Sequence, residues 1–469
     1  MTALTLPVNP SKPRNPTLHR TAEIPLLPLG GDVGHDGVSK EGLSVRADAV
    51  FDRPLPEIVA AVRAGAVSAR ELTEESGRRI DATEAQVRAW VRRAEDPGAD
   101  ATALDTGEAP LPLHGIPLGV KDIIDVEGLP TRCGSPLTAE LPKDSSAACV
   151  RRLQELGCVV QGKTVTTEFA YFAPGPTNNP AAPGRTPGGS SSGSAAAVAA
   201  GMVPLALGSQ TAGSLTRPAS FCGIAGITLA HGSTDLSGVA GLSPALDALG
   251  LLTRSVPEVE YAWRAFTGAE PVEHGGRVLI WRGSGLASLD PAMQQAVDAA
   301  ADALDRAGTP DELDWDDHVR TLAADHPVIM AYEAVRERTD ALAHLDRVSS
   351  QLIELLRTAQ RTSDDEYAGA RYRRDRSQQD LSDRFGQGDV IVGPAALGPA
   401  PEGLSATGSP ILSRPWQALG LPVVTVPGIR NAAGLPLGIQ VIGRSGSEGD
   451  LFRVAGLLAD ALRGHRTAA

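Results

Sequence analysis

The chain has 469 residues, of which 42% are hydrophobic and 21% are charged, and its formal net charge is −13. This length suffices for one large domain or two smaller ones. The acidic balance argues against a nucleic-acid backbone or an anionic membrane as the main partner, so we expect neither. The longest apolar stretches, such as residues 195–207, fall short of the roughly 18 residues that a membrane span needs.

Residues 1–50 are rich in Pro and Gly and show no sustained hydrophobic period, which predicts a tail or a strap on the surface. Their first residues contain no apolar segment typical of a secretory signal. The cysteines, which show no spacing typical of a metal site or a disulfide pair, are Cys133, Cys149, Cys158 and Cys222. We therefore expect reduced thiols in a cytoplasmic protein.

A helical pattern begins at Leu55 and continues to residue 93, and Ser68 with Glu71 predicts a capping box inside it. Residues 116–126 are apolar and β-branched, which predicts a buried strand interrupted by Lys121 and Asp122. A helix over 145–157, closed by its final glycine, precedes a second strand that begins at residue 158. This alternation of helix and strand favours an α/β sheet.

Two turns dense in Gly and Ser, at 188–194 and 208–214, flank a run of small apolar residues for which Ser194 is the expected N-cap. Residues 256–384 are mostly helical, with one strand at Val278–Trp281. Short strands or turns are expected at 221–230 and 250–255. Buried strands are expected at 389–396, 422–428 and 435–443, followed by an amphipathic helix over 448–463. We find no repeat and no linker, so the prediction is one large α/β domain with a central mixed β-sheet flanked by helices.

Lys121 is unusual because the chain has only five lysines and relies on Arg for most of its positive charge. It lies among apolar residues, namely Ile116, Leu118, Val120, Ile123 and Ile124. Desolvation lowers the pKa of a lysine, so a buried Lys121 could act as a base near neutral pH. The alternative is a structural ion pair with Asp122 or Asp125.

Taken together, three motifs resemble those of the amidase signature enzymes, a family of serine hydrolases. They are the lysine segment GIPLGVKDI at 115–123, GGSSSGS at Gly188–Ser194, and GSQTAGS at Gly208–Ser214. The resemblance covers roughly residues 55–465. It implies an amidase signature domain over 51–469, with core motifs in 110–255, a helical variable region over about 256–384, and C-terminal strands and a helix in 385–465.

The resemblance implies a Ser–Ser–Lys triad in which Ser214 is the nucleophile, Ser190 the bridging serine and Lys121 the base. In the family the bridging serine follows a cis peptide bond, so we expect Gly189–Ser190 to be cis. The oxyanion hole would be formed by the backbone N–H groups of Thr211, Ala212, Gly213 and Ser214. Candidate substrate-binding residues are Ala170, Tyr171, Phe172 and Trp416, with core packing as the alternative for each.

The expected function is a cofactor-free and metal-free amidohydrolase, cleaving a non-peptide C–N bond of a small amide, aryl amide or carbamate, or an ester bond. Alternatives are an amidotransferase A-type subunit that supplies ammonia to a partner, and a catalytically silent scaffold. A Ser–His–Asp arrangement would need His114 or His231, and neither has a carboxylate in a recognisable motif. Homodimers are common in the family, so a homodimer is also an expectation. Gln210 is a departure, because many relatives carry Asp there.

Overall fold

Eleven strands of the described chain form one mixed sheet, which confirms the predicted α/β architecture. The computed structural model describes residues 46–107, 111–283, 285–308 and 310–468. The strands are β1 Trp90–Arg93, β2 Ile116–Lys121, β3 Cys158–Thr164, β4 Leu205–Gln210, β5 Ala225–Thr228, β6 Ala248–Thr253, β7 Val278–Ile280, β8 Asp311–Glu312, β9 Val390–Pro394, β10 Val423–Arg430 and β11 Pro436–Ile442. Their order across the sheet is β1-β3-β2-β4-β6-β5-β10-β11-β9-β7-β8.

Helices connect and cover these strands. They are α1 Ala47–Phe51, α2 Leu55–Arg63, α3 Ala69–Val87, α4 Pro97–Asp105, α5 Ala148–Glu155, α6 Ser192–Ala199, α7 Thr216–Cys222, α8 Val256–Thr267, α9 Pro291–Asp305, α10 Asp316–Glu337, α11 Thr339–Leu342, α12 Ser350–Arg361, α13 Asp364–Arg384, α14 Arg414–Ala418 and α15 Glu448–Ala461. Short 3₁₀ turns occur at Glu168–Ala170 and Leu345–Arg347. The predicted tail or strap over 1–50 lies, except for its last five residues, outside the described residues.

Alternate side chains of β4 show that both faces of the sheet are covered. Leu205 and Leu207 join the largest hydrophobic cluster. Ala206, which lies between them, joins a second cluster with the alanines of α6. Because side chains of a strand alternate between faces, the two clusters lie on opposite sides of the sheet. The small residues of α6 let that helix approach the sheet closely.

The strands β2, β3 and β4 are parallel neighbours, with Lys121 of β2 aligned to Thr164 of β3 and Val120 aligned to Leu207 of β4. Parallel strands bring their carboxyl ends to the same edge of a sheet, where loops place functional groups. Lys121 is the last residue of β2, and the loop after β4 leads to Ser214. The topology thus brings the two motifs to one edge.

Several elements differ from their predicted limits. The helical pattern after Ser68 ends at Val87, where Arg88 adopts a left-handed conformation, and the next residues form the edge strand β1. The strand predicted over 116–126 ends at Lys121, and the helix predicted over 145–157 spans only α5. Residues 208–210 belong to β4 rather than to a turn, because they pair with β6.

Ser194 is not a helix cap. Helix α6 begins two residues earlier, at Ser192. The Ser194 hydroxyl instead donates to the Leu207 carbonyl at 2.8 Å and lies 2.7 Å from the hydroxyl of Thr164. A serine at this position therefore ties α6 to β3 and β4. The capping box of Ser68 and Glu71 is confirmed.

Candidate active site

The Lys121 amine lies at the carboxyl end of β2 and is fully buried. Its Nζ is 2.6 Å from Ser190 Oγ and 2.8 Å from Ser209 Oγ. Burial lowers the pKa of Lys121 to about 7, against an opposing effect of Asp247. A substantial fraction of the amine is therefore neutral at physiological pH and able to accept a proton.

The two aspartates that could have paired with Lys121 have other partners. Asp122 Oδ1 lies 2.9 Å from Lys163 Nζ in a fully buried ion pair. Asp125 Oδ1 lies 3.2 Å from Lys143 Nζ. Within the described residues the Lys121 amine contacts hydroxyl groups and no carboxylate. Lys121 therefore does not form the ion pair with Asp122 or Asp125 that the sequence left as an alternative.

The turn that carries Ser190 is held by buried hydrogen bonds. The peptide bond between Gly189 and Ser190 is cis, as expected. Ser191 N donates to the Ser214 carbonyl at 3.1 Å, which joins the two serine loops directly. Ser192 Oγ donates to the Val165 carbonyl at 3.3 Å. These contacts fix the position of Ser190 relative to Ser214.

The loop from Thr211 to Ser214 presents free backbone amides. Among the described residues, the N–H groups of Thr211, Ala212, Gly213 and Ser214 donate to no carbonyl or side-chain acceptor. Thr211, Ala212 and Ser214 line a pocket together with Ser190. A cluster of unpaired N–H groups beside two hydroxyls is an arrangement that can stabilise a developing oxyanion.

Gln210 anchors the start of this loop. Its Oε1 accepts hydrogen bonds from the amides of Leu215 and Thr216, both at 3.1 Å. Its Nε2 donates to Gln417 Oε1 at 3.0 Å. Gln417 in turn donates to the Leu246 carbonyl at 2.5 Å. A glutamine therefore supplies the acceptor that binds two amides and adds a donor that an aspartate lacks.

Sequence reasoning missed His326, which lies in α10. Its Nε2 is 2.7 Å from the Thr211 carbonyl oxygen, and the side chain is fully buried. Burial lowers the pKa of His326 to about 3. No local motif marks this histidine, because its partner lies 115 residues away along the chain.

The pocket at Ser190 and Ser214 has a volume of only about 20 Å³. Its remaining walls are Ala170, Tyr171, Phe172, Gly189, Arg217, Leu242, Met330, Thr407 and Pro410. Tyr171 and Phe172 meet edge-on, with ring centroids 4.8 Å apart. Such a volume holds about one water molecule.

Trp416 does not line this pocket. It is fully buried in another hydrophobic cluster, where it packs edge-on against Trp281 at 5.1 Å between ring centroids. The structure therefore places Trp416 in the core, which is the alternative weighed from the sequence.

Arg217, another residue that the sequence analysis did not single out, lines the pocket beside the serine turn. Its Nε donates to the Thr407 carbonyl at 2.7 Å and its Nη2 to the Gly189 carbonyl at 2.6 Å. Its Nη1 is buried and has no partner among the described residues. Burial lowers the pKa of Arg217 to about 9. Arg217 therefore bridges the carbonyls of Gly189 and Thr407, two residues that line the pocket.

Neither histidine considered for a Ser–His–Asp arrangement reaches the serines. His114 accepts a hydrogen bond from Leu111 N at 3.3 Å, and His231 Nε2 contacts the Pro244 carbonyl at 2.9 Å. Across the described ranges, no group of three or more His, Cys, Asp or Glu side chains could hold a metal ion. No helix in the same ranges is long and apolar enough to cross a membrane.

Comparison with known proteins agrees with this geometry. The model of the family described as "Amidase" matches residues 71–452. The chain is 30% identical to the A subunit of the glutamyl-tRNA(Gln) amidotransferase of Geobacillus kaustophilus, over 89% of this chain and 99% of the relative.

Solved structures show the same fold. One belongs to a vestigial protein complex that reveals the evolutionary origins of an s-triazine catabolic enzyme, with a TM-score of 0.80 and 29% identity over 89% of this chain and 100% of that one. Another is an amidase, with a TM-score of 0.78 and 28% identity over 87% of this chain and 100% of that one. The family match covers most of the chain, and the chain therefore belongs to the amidase signature family.

Proposed function

We propose that this protein is an amidohydrolase that cleaves a non-peptide C–N bond of a small amide through an acyl-enzyme on Ser214. The observation that carries the proposal is the 2.6 Å contact between Ser190 Oγ and the Lys121 amine, which has no carboxylate partner among the described residues. A neutral amine at this position can accept the Ser190 proton. A lysine held in an ion pair is protonated, so it has no lone pair with which to accept this proton.

In the proposed reaction the Ser214 proton moves to Ser190 while the Ser190 proton moves to Lys121. The Ser214 oxygen bonds to the amide carbonyl carbon, and the free amides of residues 211–214 stabilise the oxyanion. The C–N bond then breaks as the leaving nitrogen takes the proton back through Ser190. Water, deprotonated by the same two residues, attacks the acyl-enzyme and releases the acid.

Intact-protein mass spectrometry after exposure to a fluorophosphonate tests this proposal. We expect one adduct on the wild type and none on Ser214→Ala. The control is Ser76→Ala, which removes a buried hydroxyl of α3 that donates to the Met202 carbonyl at 2.7 Å, and it should leave the adduct in place. An unlabelled wild type, or an adduct that persists in Ser214→Ala, would contradict the proposal.

For the substrate class we propose aryl amides or aryl carbamates. The support is the apolar and aromatic wall that Tyr171, Phe172, Leu242 and Met330 place against the two serines. Aromatic groups stack favourably against such rings. A series of para-substituted acetanilides, compared with short aliphatic amides of equal acyl group, tests this class. A preference for the aliphatic amides would overturn it.

An ammonia-supplying subunit is the second candidate. It is favoured by the match to amidotransferase A subunits over nearly their whole length. This candidate predicts that the isolated chain hydrolyses amides poorly and gains activity with partner subunits. Activity of the purified chain alone, with a single species in size-exclusion chromatography, supports the independent amidohydrolase and also reports whether that species is a homodimer.

A further inference from the structure

We infer that His326 is a positioning residue of the oxyanion hole, in which its Nε2–H group holds the Thr211 carbonyl and thereby directs the Ala212 N–H group into the pocket. The inference rests on the proposed function, since an oxyanion forms only if Ser214 attacks a carbonyl or phosphoryl centre. It assigns a role in the reaction to a side chain from the helical region, far from the serine motifs in sequence.

One peptide group links His326 to the pocket. The Thr211 carbonyl and the Ala212 N–H belong to the same planar unit, in which they point in opposite directions. His326 Nε2 lies 2.7 Å from that carbonyl oxygen. Because the unit is rigid, holding the oxygen on the side of α10 sets the direction of the N–H on the other side. Ala212 lines the pocket, and its amide is unpaired among the described residues.

The contact with a carbonyl sets the tautomer of the His326 ring. A carbonyl oxygen only accepts, so Nε2 must carry the hydrogen. Nδ1 then carries the lone pair, and it is buried without a partner among the described residues. Protonation of Nδ1 would place a positive charge in a buried site near Arg414. Burial, and to a lesser extent Arg414, therefore lowers the pKa of His326 to about 3. His326 is therefore a neutral donor over the whole physiological range.

Thr211 is held at two points. His326 lies in the middle of α10, and Met330, one turn later, reaches the pocket wall. The Thr211 side chain is also held, because its Oγ1 donates to Asp247 Oδ1 at 2.5 Å. Thr211 is thus held by its carbonyl to α10 and by its side chain to the residue that precedes β6. Both contacts oppose a rotation of the Thr211–Ala212 peptide that would turn the Ala212 N–H away from the pocket.

The test compares His326→Leu, which removes the donor, with His326→Gln, whose longer amide can still reach the Thr211 oxygen. The matched control is His318→Leu in the same helix, where the ring contacts Ser377 and stacks on Trp315 away from the pocket. The readouts are the second-order rate of Ser214 labelling by a fluorophosphonate, the melting temperature, and kcat and KM for a substrate from the amide series.

We expect His326→Leu to slow labelling and lower kcat by up to about 10²–10³, the loss known for removal of a whole oxyanion donor, with KM nearly unchanged, because a misdirected Ala212 N–H weakens stabilisation of the transition state. His326→Gln should stay within about tenfold of the wild type, and His318→Leu should match it. If His326→Leu does not fold, His326→Asn replaces it, because the shorter amide ends before the Thr211 oxygen.

Equal labelling rates in the wild type and in the donor-free variant would overturn the role of His326 while leaving the proposed function intact. Equal losses in the Gln and donor-free variants would also overturn it, since packing alone would then explain the effect. A wild type that is not labelled at all would instead contradict the proposed function itself.

Discussion

Ser209 Oγ lies 2.8 Å from Lys121 Nζ, on the same amine that contacts Ser190 at 2.6 Å. A neutral amine has two N–H donors and one lone pair. If Ser209 accepts one N–H, the rotation of the amine is restricted and its lone pair can face the Ser190 hydroxyl. Ser209 itself is fixed by its place at the end of β4.

Ser209→Ala should therefore slow the labelling of Ser214 by about tenfold, which corresponds to the roughly 1.4 kcal/mol of one hydrogen bond. Stopped labelling reactions analysed by mass spectrometry give the rate. Ser209→Thr keeps the hydroxyl and is the control, which should retain most of the wild-type labelling rate. A rate for Ser209→Ala equal to the wild type would show that the amine is oriented by other contacts.

The pH dependence of labelling follows from the Lys121 amine, which must be neutral to accept a proton. Because burial lowers its pKa to about 7, the rate should rise with pH, reach half its maximum near pH 7, and be flat above about pH 8.5. Rates measured from pH 5 to pH 9, with circular dichroism confirming the fold at each pH, check this. A midpoint near the ordinary lysine pKa would contradict a desolvated base.

The same shift predicts a stabilising substitution. Between pH 10.5 and pH 7, Lys121 is protonated in the unfolded chain but neutral in the folded protein. The free energy of unfolding therefore falls as the pH falls through this window. Lys121→Met should remove this cost and raise the free energy of unfolding at pH 7 by on the order of 1–3 kcal/mol, after allowance for two lost hydrogen bonds.

Urea unfolding at pH 7 and at pH 9.5 measures this effect, and the gain should shrink at the higher pH. Lys143→Met is the control, because the Lys143 side chain is 42% exposed and pairs with Asp125. If the Lys121 variant keeps the pH dependence of the wild type, the amine is not the group responsible.

The contact between Gln210 and Gln417 predicts that a carboxylate in place of Gln210 lowers the stability of the fold. In Gln210→Glu one carboxylate oxygen still accepts the amides of Leu215 and Thr216. The other replaces Gln210 Nε2, which donates to Gln417 Oε1 at 3.0 Å, and so faces that oxygen. Two buried acceptors in contact should lower the free energy of unfolding by about 1–3 kcal/mol. Denaturant unfolding measures it.

A double-mutant cycle with Gln417→Met isolates the pair. In the Gln417→Met background the carboxylate introduced by Gln210→Glu no longer meets an opposing oxygen, so the same change should cost less. Equal costs in both backgrounds would show that the two side chains are not coupled.

Much of the core could be predicted from sequence because its signals are local. A lysine within an apolar strand and serines within glycine-rich turns stand a few residues from the features that mark them, and Lys121 and Ser190 do lie in contact. The capping box of Ser68 and the strands β2, β3, β9, β10 and β11 were likewise readable from short patterns. The edge strand β1 was not, since four residues after a long helix carry too weak a pattern.

The sequence by itself determined the family, the fold class and the residues whose chemistry suits acyl transfer, because these depend on motifs and on hydrophobic periodicity. Only the tertiary structure decided which carboxylates pair with which lysines, that Trp416 packs in the core, and that His326 and Gln417 hold the loop of Ser214. Each of these depends on contacts between segments far apart in the chain. Such contacts follow from how helices and strands pack, which no local pattern of residues records.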